Sequence, residues 1–297
     1  MTRLTIGMIG AGEMGAALAR VFGEAGHQVL SDLRGRSEET HTRAQEAGIQ
    51  AAHLLQVVAE TDILFSVLPT QYAKEAAAEV ADLIEQTGKT PIFVEANAIS
   101  PRLTCEIAGL ITNAGAVAID AGLVGAPPSE TTRPRLYACG GDLSTLRVLD
   151  QTGFDLVELS GGIGKASAFK MAYAAMTKGV NALLFNAMLA ADAHDLLDTF
   201  LAEVEASQPQ LAARARANIP RLPADAARWQ DEMRQIAQSF EDIGLTSYFH
   251  HGAEAVMATI SASPFGHETR RTRDKSRSLE ATIKAIQPSF DKKGSAS

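Results

Sequence analysis

The chain has 297 residues, 46% hydrophobic and 21% charged, which is enough for one large or two medium globular domains. A formal net charge of -8 supplies no broad positive field, so nucleic acid and anionic membrane surfaces drop out as expected partners. Cys105 and Cys139 stand far apart without a CxxC spacing, suggesting neither a disulfide framework nor a zinc site, only two reduced, buried, small apolar side chains.

The N-terminal stretch MTRLTIGMIGAGEMG enters a strand-like apolar run directly, and Glu13 interrupts any signal core. No apolar run reaches the roughly 18 residues a membrane span needs, so the expected location is cytoplasmic. To about residue 160 the apolar runs LTIGMIG, HQVLSD, DILFSVL, PIFVEA, AVAID and RLYACG alternate with helix-length amphipathic segments, predicting a parallel sheet wrapped by helices. From about residue 164 the strand signals stop, and Ala166 to Leu197 and Ala224 to Ile243 carry apolar residues at helical spacing. The fold class is therefore α/β followed by an all-α domain, with domains at 1–162 and 163–297. Pro209, Pro220, Pro223 and Pro264 mark helix ends, because proline lacks the amide donor and disfavours helix in the residue before it. The tail DKKGSAS is expected to fray.

The first strand ends in GAGEMG, comprising Gly10, Ala11, Gly12, Glu13, Met14 and Gly15, and a helix follows. Gly10 allows a tight turn, Gly12 lets backbone approach a pyrophosphate, and Gly15 lets the helix pack on the strand with its N-terminus facing the anion. Placed between strand and helix at the start of a βαβ unit, this spacing reads as dinucleotide binding. The second strand should carry the residue that reads the adenosine ribose. Asp32 suits the two hydroxyls of NAD, whereas Arg34, Arg36 and Ser37 suit the additional phosphate of NADP, which the two arginines favour. A basic surface loop is the plainer reading of the same residues. Further on, Leu68 and Pro69 in SVLPTQ can form an apolar wall under the cofactor. Asn97 in EANAISP can hydrogen-bond the cofactor, or else cap the next helix or brace the turn before Pro101.

GAGEMG, the LPT strand end, NAISP, DAGLVGAP and GKASAFK, in this order, together resemble the β-hydroxyacid dehydrogenase family, which includes 3-hydroxyisobutyrate and 6-phosphogluconate dehydrogenases. The resemblance runs from residue 4 to about 185, and the helical remainder looks like a less characterised bacterial branch. It implies a Rossmann-type NAD(P)-binding domain, a helical domain that carries substrate and forms a homodimer, and a small-molecule substrate. The family's GxGxxxK segment falls on Gly164, Ala166 and Lys170, with alanine for the second glycine, and implies Lys170 as the general acid/base. Its substrate loop falls on Asp120 to Ala126, giving Gly122, Leu123, Val124 and Gly125 as substrate-binding residues. Two departures are Val124, where the family has a serine that helps hold a substrate carboxylate, and Ala174, where it has an asparagine.

Read without the resemblance, Lys170 is an ordinary solvated helix lysine. With it, a lysine whose ammonium form is disfavoured by burial and by the oxidised nicotinamide can take the proton of an alcohol while hydride leaves the same carbon. Helical spacing puts Ser167, Tyr173, Ala174, Thr177 and Asn181 on or near the Lys170 face. Tyr173 can hold or polarise the reacting oxygen, and Thr177 and Asn181 can bind substrate. Lys178 is turned roughly 80 degrees away and reads as a supporting or surface residue. Arg270, Arg271, Arg273, Lys275 and Arg277 read as a salt-bridged surface in preference to an anion site. His250 and His251 have no acidic or cysteine partner at metal-ligand spacing, so no metal is expected. The leading expectation is an NADP- or NAD-dependent dehydrogenase or reductase acting on a small hydroxyacid, alcohol or carbonyl. The alternatives are an imine reductase, favoured by Tyr173 and opposed by Lys170, and a non-catalytic NADP-binding protein.

Overall fold

The structure, a computed structural model, describes residues 3–286; the tail DKKGSAS lies outside the described residues. The chain divides into two units, Met1–Ala172 and Tyr173–Ser297. In the first, β1 (Thr5–Ile9), α1 (Glu13–Glu24), β2 (Gln28–Ser31), α2 (Glu38–Glu46), β3 (Gln50–Ala51) and α3 (Leu54–Glu60) lead into β4 (Ile63–Ser66) and α4 (Ala73–Thr87). Then come β5 (Ile92–Glu95), α5 (Pro101–Asn113), β6 (Ala118–Val124), β7 (Arg135–Cys139), α6 (Ser144–Val148), β8 (Asp155–Glu158) and the start of α7 (Lys165–Asp192). The helix α7 begins close to the expected 162/163 boundary, and the division between units falls inside it.

The strands form one sheet in the order β3-β2-β1-β4-β5-β6-β7-β8. Every pairing is parallel except β6 with β7, which reverses direction at Asp120↔Cys139 through Val124↔Arg135. Six of these strands are the six apolar runs of the sequence. The other two, β3 and β8, are the rims of the sheet. A rim strand has a neighbour on one side only, so it needs no continuous apolar run, and QA and DLVE carry none.

The interior strands are buried on both faces. Ile63 and Phe65 of β4 join Phe22 and Phe154 in one core layer, while Leu64 joins Phe93 in the other. The Phe22 ring lies 5.7 Å from Phe65 and 6.2 Å, edge-on, from Phe154. Each buried ring contributes about 1.5–3 kcal/mol by leaving water. That rigid double layer fixes the strand ends that carry the site.

In the second unit α7 continues to Asp192 instead of running to Leu197. It stops because Asp195 takes a left-handed conformation, φ 59, and the amide of Leu196 closes the turn on the Ala191 carbonyl. After it come α8 (Leu197–Ser207), α9 (Pro209–Asn218), α10 (Pro223–Glu241), α11 (Tyr248–Ser261) and α12 (Leu279–Ile286). Pro209 and Pro223 open helices, at the first position where a missing amide hydrogen costs nothing. Pro220 lies in a 3-10 turn, Ile219–Arg221, and Pro264 follows the end of α11. The α10–α11 hairpin buries Met233, Ile236, Ala237, Met257 and Ile260.

Candidate active site

The turn between β1 and α1 shows why three glycines stand there. Gly10 has φ +106, and a Cβ on it would sit 2.3 Å from the Val67 carbonyl oxygen. A Cβ on Gly15 would sit 2.1 Å from the Gly10 carbonyl oxygen, so only glycine lets α1 start this close to the turn. Around Gly12 a Cβ would meet nothing within 4 Å, and no side chain caps α1. Ala11 is buried behind the turn, while Gly12 and Glu13 are exposed and Met14 half-buried. An open backbone arc and an uncapped helix N-terminus thus meet at the carboxyl end of β1, where the strand order reverses. A pyrophosphate fits this cradle.

At the end of β2, Asp32 accepts from the Arg34 backbone amide (2.9 Å), the Arg34 Nε (3.0 Å) and Nη2 (2.5 Å), and the Leu54 amide (2.9 Å). The Arg34 hydrogen bond is the chief reason its carboxyl is held down at about 2. Both oxygens of Asp32 are therefore engaged, and it works as a bracket for Arg34, whose side chain remains 63% exposed. Ser37 caps α2 by accepting from the Thr40 amide at 3.3 Å, and Arg36 is exposed beside it.

Leu68 and Pro69 follow β4, and the Leu68 amide donates to Asn97 Oδ1. Asn97 Nδ2 donates to Ser66 Oγ at 2.8 Å, and its backbone amide donates to Glu95 Oε1 at 2.9 Å. Asn97 is buried and laces the ends of β4 and β5 together. It is not the helix cap: Ser100 caps α5, accepting from the Leu103 amide at 3.3 Å with Pro101 in the first position.

The first two turns of α7 lie against β6. A Cβ on Gly122 would sit 3.0 Å from Lys170 Cβ and 3.1 Å from the Ala166 carbonyl oxygen, so the missing side chain admits the helix. Asp120, 1% exposed, accepts from the amides of Gly164 (2.8 Å), Ala166 (3.0 Å) and Ser167 (3.1 Å). The opening residue of the expected substrate loop is thus the anion that satisfies the N-terminus of α7. Ser167 is tied to the same carboxylate, its hydroxyl donating to Asp120 Oδ2 at 3.3 Å. Lys170 is half-buried, and its Nζ donates to the Ala96 carbonyl at 3.1 Å, just beyond the end of β5. Phe169 stacks on Tyr137, centroids 4.1 Å apart. Gly125, after Leu123 and Val124, leaves the strand with φ +130.

A buried acid and a buried thiol end β5 and β7, and the acid escapes a sequence reading. Glu95 is buried inside a strand that reads as apolar, and desolvation pushes its carboxyl up to about 8. Cys139 donates to Asp120 and is also pushed up, to about 11, by burial first and by the Asp120 charge second. The expected burial of both cysteines holds for Cys139 only; Cys105 is exposed, on the flank of α5 beside Gly164.

The remaining expected residues lie in the helical unit. Tyr173 is 42% exposed, and Ala174 is buried. The Thr177 carbonyl and Asn181 Oδ1 accept from Arg214 at 2.6 Å and 2.9 Å, so both are tied to α9, with Asn181 buried. Lys178 pairs with the buried Glu232 and sits 5.3 Å from the Trp229 ring centre, making it an internal brace. Arg270 pairs with Asp225 at 3.0 Å and Arg277 with Glu268 at 2.6 Å; Arg277 is buried over the Phe265 ring, not solvated. His251 does have acidic neighbours: Glu254, three residues on in α11, at 3.4 Å, and Glu241, brought close by the α10–α11 hairpin, at 3.1 Å. No cluster of three metal-ligating side chains occurs among the described residues. Nor is any described helix long and apolar enough to cross a membrane.

Residues 5–151 match the NAD binding domain of 6-phosphogluconate dehydrogenase, and residues 191–260 match a domain of unknown function, DUF1932. No curated protein sequence matches the chain. Among solved structures, 3-hydroxyisobutyrate dehydrogenase from Mycobacterium tuberculosis, in a structure with L-serine, superposes with a TM-score of 0.68 at 16% identity, covering 96% of this chain and 100% of that one. The 3-hydroxyisobutyrate dehydrogenase from Salmonella typhimurium gives 0.65 at 17% identity, covering 95% and 99%. An imine reductase variant from Myxococcus stipitatus, in complex with NAD+, gives 0.57 at 18% identity, covering 96% and 99%. At these identities the structures share the fold.

Proposed function

Since residues 5–151 match the NAD binding domain of 6-phosphogluconate dehydrogenase, we propose that the chain is a member of the β-hydroxyacid dehydrogenase family and an NADP-dependent oxidoreductase acting on a small hydroxyacid, alcohol or carbonyl compound. The observation that carries this reading is the place of Lys170. A half-buried amine is pinned by the Ala96 carbonyl at the carboxyl edge of the parallel strands, the edge at which ligands of such sheets sit.

Gly10 to Gly15 and the start of α1 would hold the pyrophosphate, and Arg34, braced by Asp32, would meet a phosphate on the ribose. Arg36 and Ser37 flank that position, and Leu68, Pro69 and the loop fixed by Asn97 would wall the nicotinamide end. The cofactor, when bound, supplies or accepts the hydride. Lys170 handles the proton: as neutral amine it takes the proton of the substrate hydroxyl during oxidation, and as ammonium it returns a proton to the carbonyl oxygen during reduction. The backbone from Gly122 to Gly125 positions the substrate, with Leu123 and Val124 giving that loop an apolar character. Tyr173, one helical turn after Lys170, is the second residue we assign to the reacting oxygen, and Thr177 and Asn181 follow on the same helix. The helical unit is assigned to pairing with a second copy, supported by the large apolar side chains it exposes: Ile243, Leu245, Tyr248 and Phe249.

Purified protein is screened with NADPH and NADP against hydroxyacids, aldehydes, ketones and cyclic imines, and Lys170→Ala is compared on whichever substrate turns over. Removal of a general acid/base should lower kcat by about 100-fold or more with cofactor affinity unchanged. Turnover kept within a few-fold would sink the assignment. Imine reduction without alcohol or carbonyl activity would favour an imine reductase, and NADPH binding without turnover on any compound would favour a sensor.

A further inference from the structure

Glu95 is chemically out of place. It ends β5, is 3% exposed, and uses only Oε1, which accepts from the Asn97 amide at 2.9 Å; Oε2 has no hydrogen-bond partner among the described residues. Burying a carboxyl with one oxygen unmet costs free energy that an apolar residue would avoid. Nothing in the sheet requires an acid at this point, since the neighbouring strands already pair with β5 through their backbones.

The surroundings give the acid a partner. In register with Glu95 stand Ser66 on β4 and Asp120 on β6, both buried. Ser66 is occupied by Asn97, and Asp120 by the amides that open α7. The charged groups that act on Glu95 are Lys170 from α7, which favours its ionised form, and Asp120 from β6, which opposes it. Lys170 Nζ rests on the carbonyl of Ala96, the very next residue of the chain. The buried acid and the residue that anchors the amine are thus adjacent in the chain, at the carboxyl end of β5.

We propose that Glu95 is the positioning residue of Lys170: a buried acid next to the amine's backbone anchor that shares a proton balance with it, so that Lys170 accepts or releases its proton in step with the ionisation of Glu95. The inference rests on the assignment of Lys170 as acid/base. In oxidation the substrate O–H bond breaks, an N–H bond forms on Nζ, and the hydride leaves with its electron pair to the nicotinamide. Glu95 exchanges no electrons. When ionised it stabilises the ammonium so formed, and when protonated it withdraws that support, so the pair titrates in coupled steps. Burial, which holds Glu95 protonated up to about 8, places its ionisation where a lysine can feel it.

The test needs no substrate. Intact protein is labelled with limiting acetic anhydride across the range in which lysine titrates, and acetylation of Lys170 is read by peptide mass spectrometry in wild type, Glu95→Gln and Glu95→Asp. Loss of the carboxylate should move the Lys170 midpoint down by about one pH unit in Glu95→Gln, with Glu95→Asp in between and the labelling of exposed Lys89 unmoved. Superimposable Lys170 curves in the folded variants would overturn the proposal, and Glu95→Asp alone decides if Glu95→Gln does not fold. With a substrate in hand, the kcat profile should shift by the same amount while KM holds. Retained turnover in Lys170→Ala would remove the catalytic reading and leave the labelling result standing, so the two failures are distinguishable.

Discussion

Arg34 is held by Asp32 through its backbone amide and its guanidinium together. A carboxylate that binds the ribose hydroxyls of NAD directly must have its oxygens available, and those of Asp32 are engaged within the loop. Arg34→Ala should therefore weaken NADPH binding by about 10-fold or more, the value of a lost charge-assisted hydrogen bond, and leave NADH nearly unchanged; titration of cofactor fluorescence checks it. Glu95 has a separate effect on stability. Its folded-state pKa of about 8 lies above the ordinary 4.5, so the folded state holds its proton longer than the unfolded one. The stabilising difference is complete below the ordinary value and is lost as pH rises through about 8. Glu95→Gln should thus gain on wild type by several degrees of Tm between mildly acidic and mildly alkaline solution, measured by thermal melts. The place of Lys170 on a helix opening after Gly164 was legible because its spacing from Gly164 is a motif. Glu95 was not, because β5 reads as an apolar strand and burial is a tertiary fact.

At the scale of elements, the six interior strands could be read from their apolar runs, because both faces of a covered parallel sheet must leave water. The rims could not, as a strand with one partner carries no such pattern. Nor could the early end of α7, which depends on one aspartate in a left-handed turn that helical periodicity ignores. The approach of α7 to β6 at Gly122 gives a further expectation. Gly122→Ala forces a methyl against Lys170 Cβ and the Ala166 carbonyl, which should cost about 1–3 kcal/mol and lower kcat more than cofactor affinity. Thermal melts and steady-state kinetics of the variant test both parts. Asp120 was read as part of a substrate loop, and the structure gives its carboxylate a role at the helix start, a contact between residues more than forty positions apart.

For the whole molecule, the second unit exposes Ile243 (70%), Leu245 (55%), Tyr248 (84%) and Phe249 (78%) within a short stretch from the α10–α11 turn into α11. A second copy covering these side chains is the occupant we assign. Phe249→Asp should shift the sedimenting species from dimer to monomer, and a wild-type monomer at micromolar concentration would refute the assignment. The carboxylate of Asp120 has a consequence in time. The first turn of a helix is the costly one to nucleate, and here its amides are met by a side chain from a distant strand. The turn that carries Lys170 is thereby tied to β6 and should order together with it. If Lys170 acts as proposed, competence for chemistry should then come only with a completed sheet, and a chain whose sheet is incomplete should be inert instead of indiscriminately reactive.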